Sequence, residues 1–166
     1  MGHLLEPAVA TRFLALTGLY AADGPGTLRH PERPWIANLD RVTEEDGQPG
    51  VVELKTRSSY ALNDWLDETP IDVQIQVQWY LAVTGWQFAY TACLIGGQRT
   101  IVHRIQRDEQ MIADLMAIAA EFWGFETKTG TPRSLEVFAG WLPPQGSTEG
   151  DQFPFLIVRP RTGTAT

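Results

Sequence analysis

Tyr90 to Ile95 and Thr100 to Ile105 are short runs rich in apolar, β-branched and aromatic residues, joined through Gly96-Gly97. That spacing reads as an antiparallel hairpin, the clearest in the sequence. Trp35 to Val42 and Gly50 to Thr56, rich in Val, Ile and Leu, read as a second strand pair, with polar Thr43 to Pro49 as the loop between them. Helical spacing flanks these strands. Leu5, Ala8, Val9, Phe13, Leu14 and Leu16 recur with a period near 3.6 over Leu4 to Thr17, and Gly18 supplies a natural stop. Met111, Ile112, Leu115, Met116, Ile118, Ala119 and Phe122 do the same between Asp108, the expected N-cap, and Phe125.

Between these elements lies a conflict. Ile71, Val73, Ile75, Val77 and Trp79 alternate with Asp72, Gln74, Gln76 and Gln78, which is the period of a strand. Thr69-Pro70, however, has the form of an N-cap followed by Pro at the first helical position, and Asp72 suits the positive end of a helix dipole. Local evidence leaves both readings open. From residue 128 the chain is rich in Pro, Gly and Thr without a sustained period, so residues 128–166 are expected to form a loop-like or disordered tail behind a core at 1–127.

Composition narrows the class. A chain of 166 residues with 43% hydrophobic content and six Trp can bury a real core, which excludes an intrinsically disordered protein. The longest apolar stretch, Tyr80 to Ile95, is interrupted by Thr84, Gly85, Gln87 and Thr91, so no membrane partner is expected. The N-terminus lacks the marks of a secretion signal, and a single cysteine, Cys93, fits a reducing cytoplasm. A net charge of −7 argues against binding nucleic acid by blanket electrostatics, although carboxylates that hold divalent cations would account for part of it. His3, His30 and His103 have no zinc-ligand spacing, and no phosphate-binding glycine loop is present.

The residues with the most chemistry are Leu39-Asp40 and, twelve residues on, Glu53-Leu54-Lys55. On a strand, Glu53 and Lys55 share a face and Leu54 points the other way. A partner strand can set Asp40 beside them. Two carboxylates offer hard oxygen ligands for Mg²⁺, and an ammonium can orient a water or stabilise a phosphorane. The same residues also fit a salt-bridge ladder on a solvated sheet face. Arg57, directly after this strand, is a candidate phosphate contact, and His30, just before the first, a candidate substrate contact.

The motifs Gly2-His3-Leu4-Leu5-Glu6-Pro7, His30-Pro31-Glu32-Arg33-Pro34-Trp35-Ile36-Ala37-Asn38-Leu39-Asp40-Arg41, Val51-Val52-Glu53-Leu54-Lys55-Thr56, Gln76-Val77-Gln78-Trp79-Tyr80-Leu81 and Arg107-Asp108-Glu109 follow one another in order. In this the chain resembles the YqaJ-like viral recombinase group, which includes lambda exonuclease, within the PD-(D/E)XK nucleases. The resemblance implies an α/β, restriction-endonuclease-like core with a central mixed sheet flanked by helices, and it makes 71–79 helical. It implies that Glu6, Asp40 and Glu53 are metal ligands, joined by the Leu54 backbone carbonyl. Lys55 becomes the catalytic lysine, and Gln76 with Tyr80 forms a Gln-x-x-x-Tyr signature facing phosphate or water. Asp40, Glu53, Lys55 and Gln76 are thus the expected catalytic set, and Arg57, Tyr80 and His30 the expected DNA contacts.

The implied activity is Mg²⁺- or Mn²⁺-dependent 5′ to 3′ digestion of linear duplex DNA in phage or prophage recombination, alongside a single-strand annealing protein and as a homo-oligomer. A truncated, non-catalytic DNA-end binding module and a structure-specific endonuclease are the alternatives. The sequence departs from the family in having Leu39 where a Pro is usual and Val73 where an aromatic is common. The family's N-terminal segment, associated with 5′-phosphate recognition, has no counterpart here, so reduced end discrimination is expected.

Overall fold

A computed structural model describes residues 2–129, with side chains described from 4 to 122. The chain divides into two compact units, 1–117 and 118–166. The first contains every strand of the described residues, and the tail expected from 128 lies, from 130 onward, outside them. The elements run α1 (Gly2–Thr17), β1 (Ala22–Asp23), β2 (Thr27–Arg29), β3 (Ile36–Asn38), β4 (Arg41–Glu45), β5 (Gln48–Arg57), a 3₁₀ turn (Ser59–Ala61), α2 (Leu62–Trp65), α3 (Ile71–Thr84), β6 (Phe88–Ile95), β7 (Arg99–Gln106) and α4 (Glu109–Thr129).

Five strands form one mixed sheet in the order β1-β4-β5-β6-β7, while β2 and β3 pair separately. β5 and β6 run parallel and the remaining neighbours antiparallel. All eight residues of β6 are buried, as expected for a central strand covered on both faces, and this accounts for the largely apolar run that announced the hairpin. On one face, Val9 and Phe13 of α1, one helical turn apart, pack on Val52, Leu54, Tyr90, Ala92 and Leu94. The Phe13 and Tyr90 rings meet edge to face at 5.4 Å. Gly18, at φ +75°, ends α1 and donates its N–H to the Leu14 carbonyl at 2.8 Å.

The helix over 71–84 overrides the alternating pattern because it is buried around most of its circumference, glutamines included. Val73, Val77 and Leu81 form its apolar stripe. Gln78 is buried as well, donating to the Gln106 carbonyl at 2.8 Å and accepting from the Asp108 N–H at 2.9 Å, and so ties α3 to the β7–α4 junction. Asp108 caps α4 as expected, accepting from the Met111 N–H at 2.9 Å. The N-terminus of α3 differs from the expected arrangement: Pro70, not Thr69, is the N-cap and makes no side-chain cap bond. The Thr69 hydroxyl instead bonds Thr91 at 2.6 Å and His103 Nδ1 at 3.1 Å.

The strand expected over Trp35 to Val42 is two strands in two sheets, broken at Leu39-Asp40. The break is held by Gly24, whose N–H donates to the Asp40 carbonyl at 3.2 Å. A methyl group on Gly24 would lie 2.0 Å from the Leu39 carbonyl oxygen, so only glycine allows this approach. The loop expected over Thr43 to Pro49 is mostly ladder, with pairing continuing to Glu45 and Gln48. Asp46 and Gly47 alone turn the chain, at φ of 53° and 74°, the two positive angles of a type I′ hairpin turn.

Gly24→Ala is expected to cost about 1–3 kcal/mol, the range for forcing extra volume into a packed contact. The midpoint of a urea melt measures it; an unchanged midpoint would show that the Leu39-Asp40 bend yields freely.

Candidate active site

The β4–β5 ladder ends with Arg41 opposite Val52, so the next β5 N–H aimed at that side, that of Leu54, has no strand partner. The Asp40 carboxylate takes its place, accepting from Leu54 N–H at 3.0 Å through Oδ2. Asp40 thereby lies beside Glu53, the residue that would face it if the ladder continued by one step. N–H and C=O of a strand residue point to the same neighbour, so the Leu54 carbonyl also faces the Asp40 side.

Glu53 alternates with Val52 and Leu54 and so occupies the face opposite α1, under α3. It is 1% exposed. Lys55, two residues on, shares that face. Its Nζ lies 2.7 Å from Glu53 Oε1 and donates to Gln76 Oε1 of α3 at 2.8 Å. Gln76 Nε2 in turn donates to the Tyr80 hydroxyl at 2.8 Å, one helical turn along α3. A continuous chain of contacts, Glu53–Lys55–Gln76–Tyr80, therefore links strand and helix.

Burial pushes the Glu53 carboxyl up to about 8; Asp40 reinforces the shift and the Lys55 ammonium opposes it. Asp40 is raised by burial too, against the Leu54 N–H and Lys55, with the negative charge of Glu6 adding to the rise. The Tyr80 phenol is raised by burial and by the Glu53 charge and stays protonated. Glu53 Oε2 is buried without a hydrogen-bond donor. Two carboxylates sharing one site, one of them with an orphaned oxygen, require either a proton or a cation between them. Hard oxygens from Asp40 and Glu53, with a backbone carbonyl on the same side, suit Mg²⁺ or Mn²⁺.

Glu6 sits on α1, and its negative charge acts on Asp40. Among the described residues no three His, Cys, Asp or Glu side chains gather into a metal-holding group. Arg57 lies further along the Lys55 face, its guanidinium donating to the Thr56 carbonyl at 3.1 Å. His30 lies in the β2–β3 loop, edge-on to Trp35 at 5.4 Å, and is not among the groups touching the carboxylates. Cys93 is a fully buried core residue, its thiol pushed up to about 12 by burial.

Two features of the site carry no sequence signal of their own. Gly24 is one, visible only through its approach to Leu39. The other is the set of buried Thr69 and Thr91 with half-buried His103: Thr91 is the β6 neighbour of Glu53, and His103 the β7 neighbour of Thr91. Trp65 stacks on the His103 ring at 6.3 Å with planes 9° apart, and burial lowers the His103 pKa, favouring the neutral ring.

The Glu53 shift has a measurable sign. The unfolded chain releases this proton near 4.5 and the folded chain near 8, so between these values the folded state binds more protons and stability falls as pH rises. Asp40, raised the same way, adds to the fall. In chelator, thermal midpoints of the wild type are expected to drop across that window and those of Glu53→Gln to drop much less. Equal slopes would mean that Glu53 is not the buried proton carrier.

The sequence pattern of the YqaJ-like viral recombinase domain matches residues 1–87. The uncharacterized protein YqaJ of Bacillus subtilis (strain 168) is 37% identical over 139 residues; that match spans 81% of this chain and 43% of the relative. In fold, the alkaline exonuclease of Laribacter hongkongensis superposes with a TM-score of 0.65 at 22% identity, over 86% of this chain and 74% of that one. The same enzyme in complex with dAMP gives 0.54 at 21%, over 78% and 72%. The mixed sheet flanked by helices is thus the restriction-endonuclease-like, PD-(D/E)XK fold, and with more than half of its residues matched, the chain belongs to the YqaJ-like viral recombinase domain family.

Proposed function

We propose that this chain is the core of a divalent-metal-dependent deoxyribonuclease that digests linear duplex DNA 5′ to 3′. The observation that carries the reading is the buried Asp40–Glu53 pair, with its orphaned Oε2, set against Lys55, Gln76 and Tyr80. Membership in a viral recombinase family supports it, as does a fold shared with an alkaline exonuclease that binds dAMP. In this reading the strand left by digestion passes to a single-strand annealing protein.

Asp40, Glu53 and the Leu54 carbonyl, together with Glu6, are the groups that would hold Mg²⁺ or Mn²⁺. When bound, such an ion supplies Lewis acidity at the scissile phosphate and makes a water acidic enough to attack. Lys55 has the donor role: its ammonium, held between Glu53 Oε1 and Gln76 Oε1, orients the attacking water and offsets charge that develops on the phosphate. Gln76 fixes that ammonium through its carbonyl while its amide group holds the Tyr80 hydroxyl. Tyr80, protonated, remains able to donate to a phosphate oxygen. Asp40 is kept in place by the Leu54 N–H, so the ligand and the strand that carries Glu53 move as one.

End-labelled linear duplex should shorten with Mg²⁺ or Mn²⁺ and persist in chelator, while a covalently closed circle should survive; a cut circle would redirect the assignment to an endonuclease. Lys55→Ala is expected to lose about 10²–10³-fold in kcat, the scale for removing one donor to developing charge. Its Mn²⁺ affinity by calorimetry should stay near wild type. Glu53→Ala should lose both, and wild-type Mn²⁺ affinity in that variant would sink the ligand assignment. A linear duplex left intact by the wild type with either ion overturns the whole reading.

A further inference from the structure

The β2–β3 hairpin stands outside the main sheet and ends in a short basic loop. The His30 N–H donates to the Trp35 carbonyl at 2.9 Å, closing the loop, and the Glu32 N–H donates to His30 Nδ1 at 3.1 Å. Trp35, buried at 7% exposure, packs against Trp79 of α3 with ring centroids 5.4 Å apart, and Trp79 Nε1 donates to the Ile36 carbonyl at 3.0 Å. Trp79 is three residues from Gln76, so the loop is stapled to the same turn of helix that holds Lys55. Its other end runs through β3 directly into Asp40.

Among the described residues, Arg41, Arg104 and Arg107 are paired with Asp23, Glu45 and Glu109. Arg29 and Arg33 form no ion pair and are exposed; the Arg33 guanidinium rests over the Trp35 ring at 5.6 Å. Exposed arginines without an ion pair also occur at Arg12 and Arg99; those of this loop are set apart by lying on the run of chain that leads into Asp40. Glu32 is the one acid between His30 and Trp35, so the tip stays net positive on a chain of net charge −7. Anchored unpaired arginines on an acidic protein suit a polyanion held at a fixed place. Seven Cα–Cα steps lead from Arg33 to Asp40, which limits their distance to about 25 Å. That is less than one turn of B-DNA, about 34 Å.

We propose that Arg29 and Arg33, on the β2–β3 hairpin, are duplex-clamping residues that grip backbone phosphates within one helical turn of the cleaved bond. The proposal rests on the nuclease reading and names the surface that holds the substrate. Because the grip is on phosphates, it is independent of sequence and sensitive to salt.

The test is fluorescence anisotropy of the full chain with a labelled linear duplex, in chelator, over about 50–200 mM NaCl. Removing two phosphate contacts in R29A/R33A should make the slope of log K against log salt shallower by about 1.8, with affinity at the lowest salt at least about tenfold weaker. R29K/R33K, which keeps the charge, should retain the wild-type slope; a lysine pair as shallow as the alanine pair would assign the loss to folding and overturn the proposal. A wild type that cleaves DNA while R29A/R33A keeps its slope overturns the clamp alone. A wild type that neither binds nor cleaves overturns the clamp and the nuclease reading together.

Discussion

A carboxylate buried at the centre of a sheet is the constraint around which the rest of this structure is arranged. An isolated ionised carboxylate is so costly in an apolar interior that it ordinarily takes up a proton. Glu53 has an ammonium at 2.7 Å and still titrates near 8, because Asp40 stands beside it and burial outweighs the one ion pair. Replacing Glu53 with a packed hydrophobe would remove this cost, since buried ion pairs seldom stabilise relative to apolar residues of similar volume. Retaining it makes sense where a cation completes the charge balance. The same burial that raises the pKa would strengthen the hold of the pair on a divalent ion, since little water competes for the oxygens.

The second requirement is that Asp40 be in place without being part of the sheet. Had Trp35 to Val42 formed one straight strand, the Leu54 N–H would have met a backbone carbonyl, and the Asp40 side chain would have projected above or below the sheet. Breaking the strand at Leu39-Asp40 sends β3 to another sheet and turns the carboxylate into the acceptor for Leu54. Gly24 holds the bend from the side, by a contact no larger residue permits.

What could be read in advance follows from this division. The shared face of Glu53 and Lys55 was legible because strand alternation is local, and the Gln76–Tyr80 spacing because four residues make one helical turn. The Asp46-Gly47 turn was equally legible, as an Asp-Gly dipeptide is a strong hairpin signal, but the polar stretch around it suggested a loop. The break at Leu39-Asp40 was not legible, since its cause lies fifteen residues away at Gly24. Nor was the burial of Gln76 and Gln78, because glutamine belongs by composition on the surface, and only tertiary partners reverse that preference. Glu6 could be read only from motif order, since nothing local to α1 shows that its charge will act on Asp40.

That Gln76 is an amide rather than an acid or a base follows from its two neighbours. Lys55 presents only donors and needs an acceptor, while the Tyr80 oxygen accepts from the opposite end of the same side chain. A glutamate at 76 would satisfy Lys55 but would add a third negative charge to a site where burial raises both carboxyls and Asp40 raises Glu53 further, and it would offer Tyr80 no donor. A lysine would repel Lys55. An amide alone meets both needs without charge, leaving Asp40 and Glu53 as the charges a cation has to answer.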